Sequence, residues 1–194
     1  TRAGSGGFLC RFDSPRMRAL HTSRLELHPC REEDLNALHD LWRLPLVRRF
    51  LWDAAAIDRQ KAGDVLRDFL DAAATRGLGL WTARAAADTE LIGFWALREI
   101  PPGLEVELLY GLAPQAWGQG LATEGARSVL EYAFDVLKLA RVWARTDRPN
   151  VASQRVIQRL GMRSGDDPEL EPTPLVAYVI DRASFLAQDP RERG

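Results

Sequence analysis

Cysteine is scarce: a chain of 194 residues carries two, Cys10 and Cys30. Two thiols so far apart neither staple a fold nor build a thiolate zinc site, so a reducing, cytoplasmic setting is expected. Long apolar runs are missing as well. None reaches the ~18 residues of a membrane span, and no apolar segment followed by a small-residue cleavage site opens the chain, so no membrane is expected as partner. Neither sign of charge dominates: 26 basic side chains face 27 acidic ones for a net charge of -1, which removes any global attraction to nucleic acid or an anionic bilayer. Lysine is confined to Lys61 and Lys138. The arginines, among them Arg43, Arg48, Arg67, Arg127 and Arg159, are spread along the chain and form no basic patch. His28, Cys30, Glu33 and His39 follow no established ligand spacing, and no metal is expected.

What is present is an ordinary core, with 46% hydrophobic and 27% charged residues. Residues 1–22 read as a flexible tail, 23–188 as one domain and 189–194 as a second tail. Arg24 to His28 alternates as a strand, and Arg31 opens an acid-rich helical turn that runs to about Trp42. A second helix is expected from about Ile57 to Ala74, with Val65, Leu66, Phe69, Leu70 and Ala73 on one face and Gly77 as its stop. Leu80 to Ala85, Glu90 to Arg98 and Glu105 to Leu112 read as an antiparallel meander joined by Ala87-Asp88-Thr89 and Pro101-Pro102-Gly103. A helix from Gly120 to about Leu137, a strand from Arg141 to Arg145, a helix from Asn150 to Leu160, a loop from Gly165 to Pro174 and a strand from Leu175 to Ile180 complete the order. The expected class is α/β, a single mixed, mostly antiparallel sheet with helices on both faces.

The most informative stretch runs from Leu112 to Glu124, where an apolar strand enters a glycine-spaced loop that opens onto an amphipathic helix. The first N–H groups of a helix lack intrahelical acceptors and lie at the positive end of its dipole, which suits phosphate. Gly118 and Gly120 lack a Cβ, so the backbone can turn those amides inward and let a bulky anion approach. A dinucleotide fingerprint would need glycine at Thr123, and no Gly-Lys-Ser/Thr follows to make a triphosphate loop.

The spacing Gln115-x-x-Gly118-x-Gly120-Leu121-Ala122 resembles the acyl-coenzyme A pyrophosphate loop of the GNAT superfamily of N-acetyltransferases. Glu107 to Pro114 looks like that family's fourth strand, and Ala122-Thr123-Glu124 like the start of its third helix. Asn150-Val-Ala-Ser153-Gln-Arg-Val-Ile157, leading to Leu160-Gly161-Met162, is similar to its second cofactor segment. The resemblance spans about Ser23 to Ile180 and is strongest to the ribosomal-protein N-terminal acetyltransferase subgroup.

That resemblance implies transfer of an acetyl group from acetyl-CoA, without metal, to an amine on a protein N-terminus or a small molecule. A homodimer is compatible with the family. In this reading Gly118, Gln119, Gly120 and Leu121 hold pyrophosphate, with Gln115, Ala122 and Thr123 in the same binding segment. The backbone N–H groups of Leu112 and Ala113 hold the cofactor and polarise its carbonyl. Asn150 approaches the pantetheine arm, or is simply a helix cap, and Ser153 faces the thiol. Glu107, a carboxylate in mid-strand, is the expected base, its pKa raised by burial; a solvated face or a salt bridge is the plain alternative. Tyr110 reads as core or pocket wall. Many family members place a tyrosine, the acid for the leaving thiolate, where this chain has Ile157, so Ser153 or water would serve here. The alternative function is a non-catalytic acyl-CoA-binding module.

Overall fold

In the computed structural model the described residues are 17–51, 54–84, 90–101, 103, 105–165 and 174–188. Cys10, Trp52, the 87–89 connection, most of the 165–174 loop and the tail after residue 188 lie outside them. The strands are β1 (Leu20–His21), β2 (Glu26–Pro29), β3 (Leu80–Arg84), β4 (Leu91–Ile100), β5 (Glu105–Leu112), β6 (Arg141–Asp147), β7 (Arg163–Ser164) and β8 (Leu175–Asp181). The helices are α1 (Leu35–Arg43), α2 (Pro45–Arg48), α3 (Arg59–Arg76), α4 (Leu121–Asp135), α5 (Val151–Arg159) and α6 (Arg182–Leu186).

Eight strands form one sheet in the order β1-β2-β3-β4-β5-β6-β8-β7. Strand alternation divides the core in two. Trp81, Trp95, Leu97 and Leu108 face α4, where they meet Val129, Leu130, Tyr132 and Phe134. Leu80, Phe94 and Ala96 point the other way, onto Leu38, Trp42 and Leu66 of α1 and α3. The mixed, mostly antiparallel sheet with a helix layer on each face is thus the architecture adopted. Among the described residues no helix is long and apolar enough to cross a membrane.

One pairing positions the site. β5 pairs antiparallel with β4 over eight residues, from Gly93↔Leu112 to Ile100↔Glu105. Its other neighbour, β6, runs parallel and shares the single register Glu107↔Trp143. The strands therefore meet near Glu107 and have no ladder toward Leu112, which leaves them apart beyond that point.

The sequence reading placed residues up to 22 in a tail, whereas Leu20 and His21 pair with Leu27 and Glu26. Trp81 anchors the approach to that strand, its Nε1 donating to the Arg18 carbonyl at 2.9 Å. β1 and α6 were not foreseen, whereas β7 is the strand that the resemblance implies after Leu160-Gly161-Met162. A two-residue strand and a five-residue helix are too short to carry a period.

Candidate active site

α4 starts in a turn built on Gly118 (φ 73°) and Gly120 (φ 80°), left-handed positions at which a side chain would strain the backbone. Among the described residues no carbonyl accepts from the N–H groups of Gly118, Gln119, Gly120 or Leu121. These unclaimed amides lie at the positive end of a 15-residue helix. Thr123 Oγ1, in the first turn, is buried without a hydrogen-bond partner. An orphaned hydroxyl beside free amides fits a phosphate group, and the cofactor segment expected from sequence has the groups it needs.

The loop is braced from behind. Gln119 Nε2 donates to the Gln115 carbonyl at 2.9 Å, and Trp117 Nε1 donates to the Leu112 carbonyl at 2.8 Å. Trp95 Nε1 reaches the Ala122 carbonyl at 3.2 Å. One expectation is corrected here. The Ala113 N–H donates to the Ile92 carbonyl at 2.9 Å, so β4 already holds it and it cannot grip a cofactor. Alternation along an antiparallel strand turns the Leu112 amide the other way, toward the cleft.

On the facing wall Glu107 is 3% exposed. Its Oε1 accepts from Arg98 Nε at 2.8 Å and also meets Arg98 Nη2. The burial expected of this carboxylate is present, and the charge is compensated by a guanidinium; a buried unpaired carboxylate would cost several kcal/mol. Among the described residues Oε2 has no hydrogen-bond partner. Arg98 was missed in the sequence, although the Pro101-Pro102-Gly103 turn carried the signal: folding the hairpin about it sets Arg98 opposite Glu107.

Tyr110 and Ser153 meet across the cleft, with their hydroxyl oxygens 2.8 Å apart. The Tyr110 hydroxyl also donates to the Ser153 carbonyl at 3.2 Å. Burial pushes the Tyr110 phenol up to about 12, and the bond to Ser153 pulls modestly in the other direction. Asn150 caps α5, its Oδ1 accepting from the Ser153 N–H at 3.2 Å, which leaves its amide nitrogen for a ligand. Ile157 is 1% exposed in the core and offers no proton.

Glu107, Tyr110, Asn150 and Ser153 line one cavity of about 550 Å³, which extends to Trp42 and Phe94 on the α1 side. The phosphate-type groups of residues 118–123 are not part of its lining and lie at the far end of β5. The His28, Cys30, Glu33 and His39 set is scattered: His28 faces Glu26 at 3.4 Å and His39 Nε2 meets the Ile57 carbonyl at 3.0 Å. Burial, with Asp34 next to it, pushes the Cys30 thiol far above its ordinary range.

A family model described as an acetyltransferase (GNAT) domain matches residues 24–163. The FsC-acetyl coenzyme A-N(2)-transacetylase of Aspergillus fumigatus is 32% identical over 152 residues, which make up 74% of this chain and 64% of that protein. The alignment thus spans a little under two thirds of that relative's length. The crystal structure of an acetyltransferase from Agrobacterium tumefaciens superposes with a TM-score of 0.71 at 25% identity, covering 84% of this chain and 93% of that one. A ribosomal L7/L12 alpha-N-protein acetyltransferase solved in complex with coenzyme A shares the fold at 16% identity, with a TM-score of 0.69 over 86% of this chain and 99% of that one.

Proposed function

Because the chain belongs to the GNAT acetyltransferase family, we propose that it moves an acetyl group from acetyl-CoA to a primary amine by direct attack. The carrying observation is the continuity of one segment: β5 presents Glu107 and Tyr110 along its length and leads, through the short turn Pro114–Ala116, to the unclaimed amides of residues 118–121. A diphosphate at the α4 mouth would lay its thioester arm along β5, past Asn150, toward Ser153.

In this reading Glu107 Oε2 accepts a proton from the acceptor ammonium, directly or through one water, while Arg98 keeps the carboxylate oriented through Oε1. The Leu112 N–H polarises the acetyl carbonyl. As the new C–N bond forms and the C–S bond breaks, the attacking nitrogen loses its second proton to solvent water in the cavity and Ser153 Oγ supplies a proton to the departing sulfur. Tyr110 replaces the Ser153 proton across their 2.8 Å contact and regains its own from solvent. This arrangement substitutes for the acid that Ile157 lacks. The donor contributes the acetyl group as an activated thioester, and no metal is needed.

The acceptor is a small-molecule amine or the α-amine of a protein. A cavity of about 550 Å³ has the volume of a small-ligand site. The Aspergillus relative is by name an acetyl coenzyme A-N(2)-transacetylase, which fits acetylation of an amine nitrogen. The test mixes the protein with acetyl-CoA and a panel of small amines and N-terminal peptides, and reads free thiol. Release above hydrolysis with at least one acceptor supports transfer. Binding of coenzyme A without thiol release across the panel assigns the non-catalytic binding module instead.

A further inference from the structure

The turn between β1 and β2 closes on the first turn of α4 from a hundred positions away in the chain. Glu124 Oε1 accepts from Thr22 Oγ1 at 2.6 Å, Ser23 Oγ at 3.1 Å and the Arg24 N–H at 2.9 Å. Glu124 Oε2 accepts from Arg24 Nε at 2.7 Å and lies 2.5 Å from Arg24 Nη2. The remaining arm, Arg24 Nη1, donates to the Gln119 carbonyl at 2.8 Å. A Cβ built on Gly120 would stand 3.6 Å from Arg24 Nη2, so the guanidinium borders the loop itself.

Two physical consequences follow from this placement. First, a carboxylate in the opening turn of α4 would repel any diphosphate seated there, and the guanidinium cancels it. Second, a peptide unit is planar and trans, so its C=O and N–H point in opposite directions. Fixing the Gln119 carbonyl on Arg24 therefore aims the Gly120 N–H away from Arg24 and out of the loop.

We propose that Arg24 is a positioning residue for the cofactor loop: it holds the Gln119 carbonyl and neutralises Glu124, so that the Gly120 amide stays presented to the diphosphate. This inference rests on the acetyl-CoA reading above. It adds a long-range requirement that the loop's own residues do not contain, since an arginine outside the glycine segment sets its affinity.

Calorimetry with coenzyme A, steady-state kinetics and thermal unfolding test it on Arg24→Gln, Arg24→Lys, Glu124→Gln and the Arg24→Gln/Glu124→Gln pair. For Arg24→Gln the Kd and the KM for acetyl-CoA rise about tenfold, as expected for a lost charge-assisted contact, with kcat within about twofold of the parent. Glu124→Gln binds as well as the parent. The double variant recovers a large part of the lost affinity, because the repulsion has gone with its source. Arg24→Lys falls between parent and Arg24→Gln, and carries the test if the glutamine variant unfolds. Unchanged Kd in a folded Arg24→Gln, or a double variant no better than the single, overturns the inference. A parent protein that binds no coenzyme A refutes the acetyl-CoA reading itself, whereas parent binding with Arg24 variants that bind equally well refutes only this step.

Discussion

β5 and β6 are buttoned together at one end and stand apart at the other. At the closed end Arg141 of β6 donates through Nε to both Glu105 oxygens, at 2.9 and 2.8 Å, and also meets Glu105 through Nη2, while Trp143 Nε1 donates to Glu105 Oε2 at 2.8 Å. At the open end no ladder links the strands beyond Glu107↔Trp143. The space is bridged by Tyr110 on Ser153. The closed end satisfies its polar groups within the protein, so it is structure. Among the described residues the open end leaves the Leu112 amide and the loop amides of 118–121 without a protein acceptor, and the exposed glycine loop puts its amides within reach of a ligand. A ligand site is thus a place where an otherwise complete hydrogen-bond ledger is left open.

The sharpest way to break that contrast is to close the open end with the protein's own charge. Gly120→Glu puts a carboxylate where phosphate belongs and a side chain at φ 80°. Coenzyme A affinity should fall by at least about 100-fold, the scale of one lost anion site plus like-charge repulsion. Calorimetry reads this directly, and an unaltered Kd removes the loop from the binding site.

Next in size is Glu107→Gln, which keeps the volume and an acceptor for Arg98 while deleting the proton acceptor. Turnover should fall by about 100-fold at neutral pH, a usual worth for a general base, with coenzyme A affinity unchanged. The deficit should shrink as pH rises and the acceptor amine deprotonates unaided. A parent-like rate across the pH range excludes Glu107 from the chemistry.

The two ends also differ in how far they could be read without coordinates. The α4 mouth is marked locally: glycines at 118 and 120, a strand before and a helix after are backbone features that the sequence shows directly. The long periodic elements were legible for a similar reason, and α3 with its Gly77 cap falls within two residues of its expected bounds at each end. The facing wall is built by contacts between distant side chains, Tyr110 reaching Ser153 across 43 positions. The brace behind the α4 mouth is equally long-range, since Arg24 reaches Glu124 across 100 positions, and at such separations periodicity carries no information. The Ala113 assignment failed on register, since a one-residue step along a strand reverses which neighbour an amide faces.

Tyr110→Phe probes the facing wall with a smaller effect. The phenol, held near 12, stays protonated throughout an ordinary assay range and is therefore a donor and not a base. Removing it should lower kcat by about tenfold at pH 7, the cost of one proton-transfer partner, and leave the coenzyme A Kd unchanged. Above about pH 8.5, where a thiol ionises on its own, the departing sulfur needs no donor and the variant should approach the parent rate. A deficit that is flat with pH instead makes Tyr110 a packing residue of the cavity wall.

The smallest effect belongs to the closed end. The Arg141 bonds hold the Glu105 carboxyl below its usual range, desolvation opposes them, and Trp143 adds a further pull downward. A carboxyl lowered on folding stabilises the native state above its unfolded pKa, about 4.3 for Glu, and that contribution is lost as pH falls through the folded value. Glu105→Gln should therefore cost about 0.5 kcal/mol at pH 7, in line with a partly exposed ion pair, and almost nothing at pH 3. Urea unfolding at the two pH values measures it, and thiol release should stay at the parent rate. A deficit equal at both pH values would mean that packing against Trp143 holds the closed end. A fall in turnover would mean that the two ends are not separable, because loosening the button would then move Glu107, two residues along the same strand.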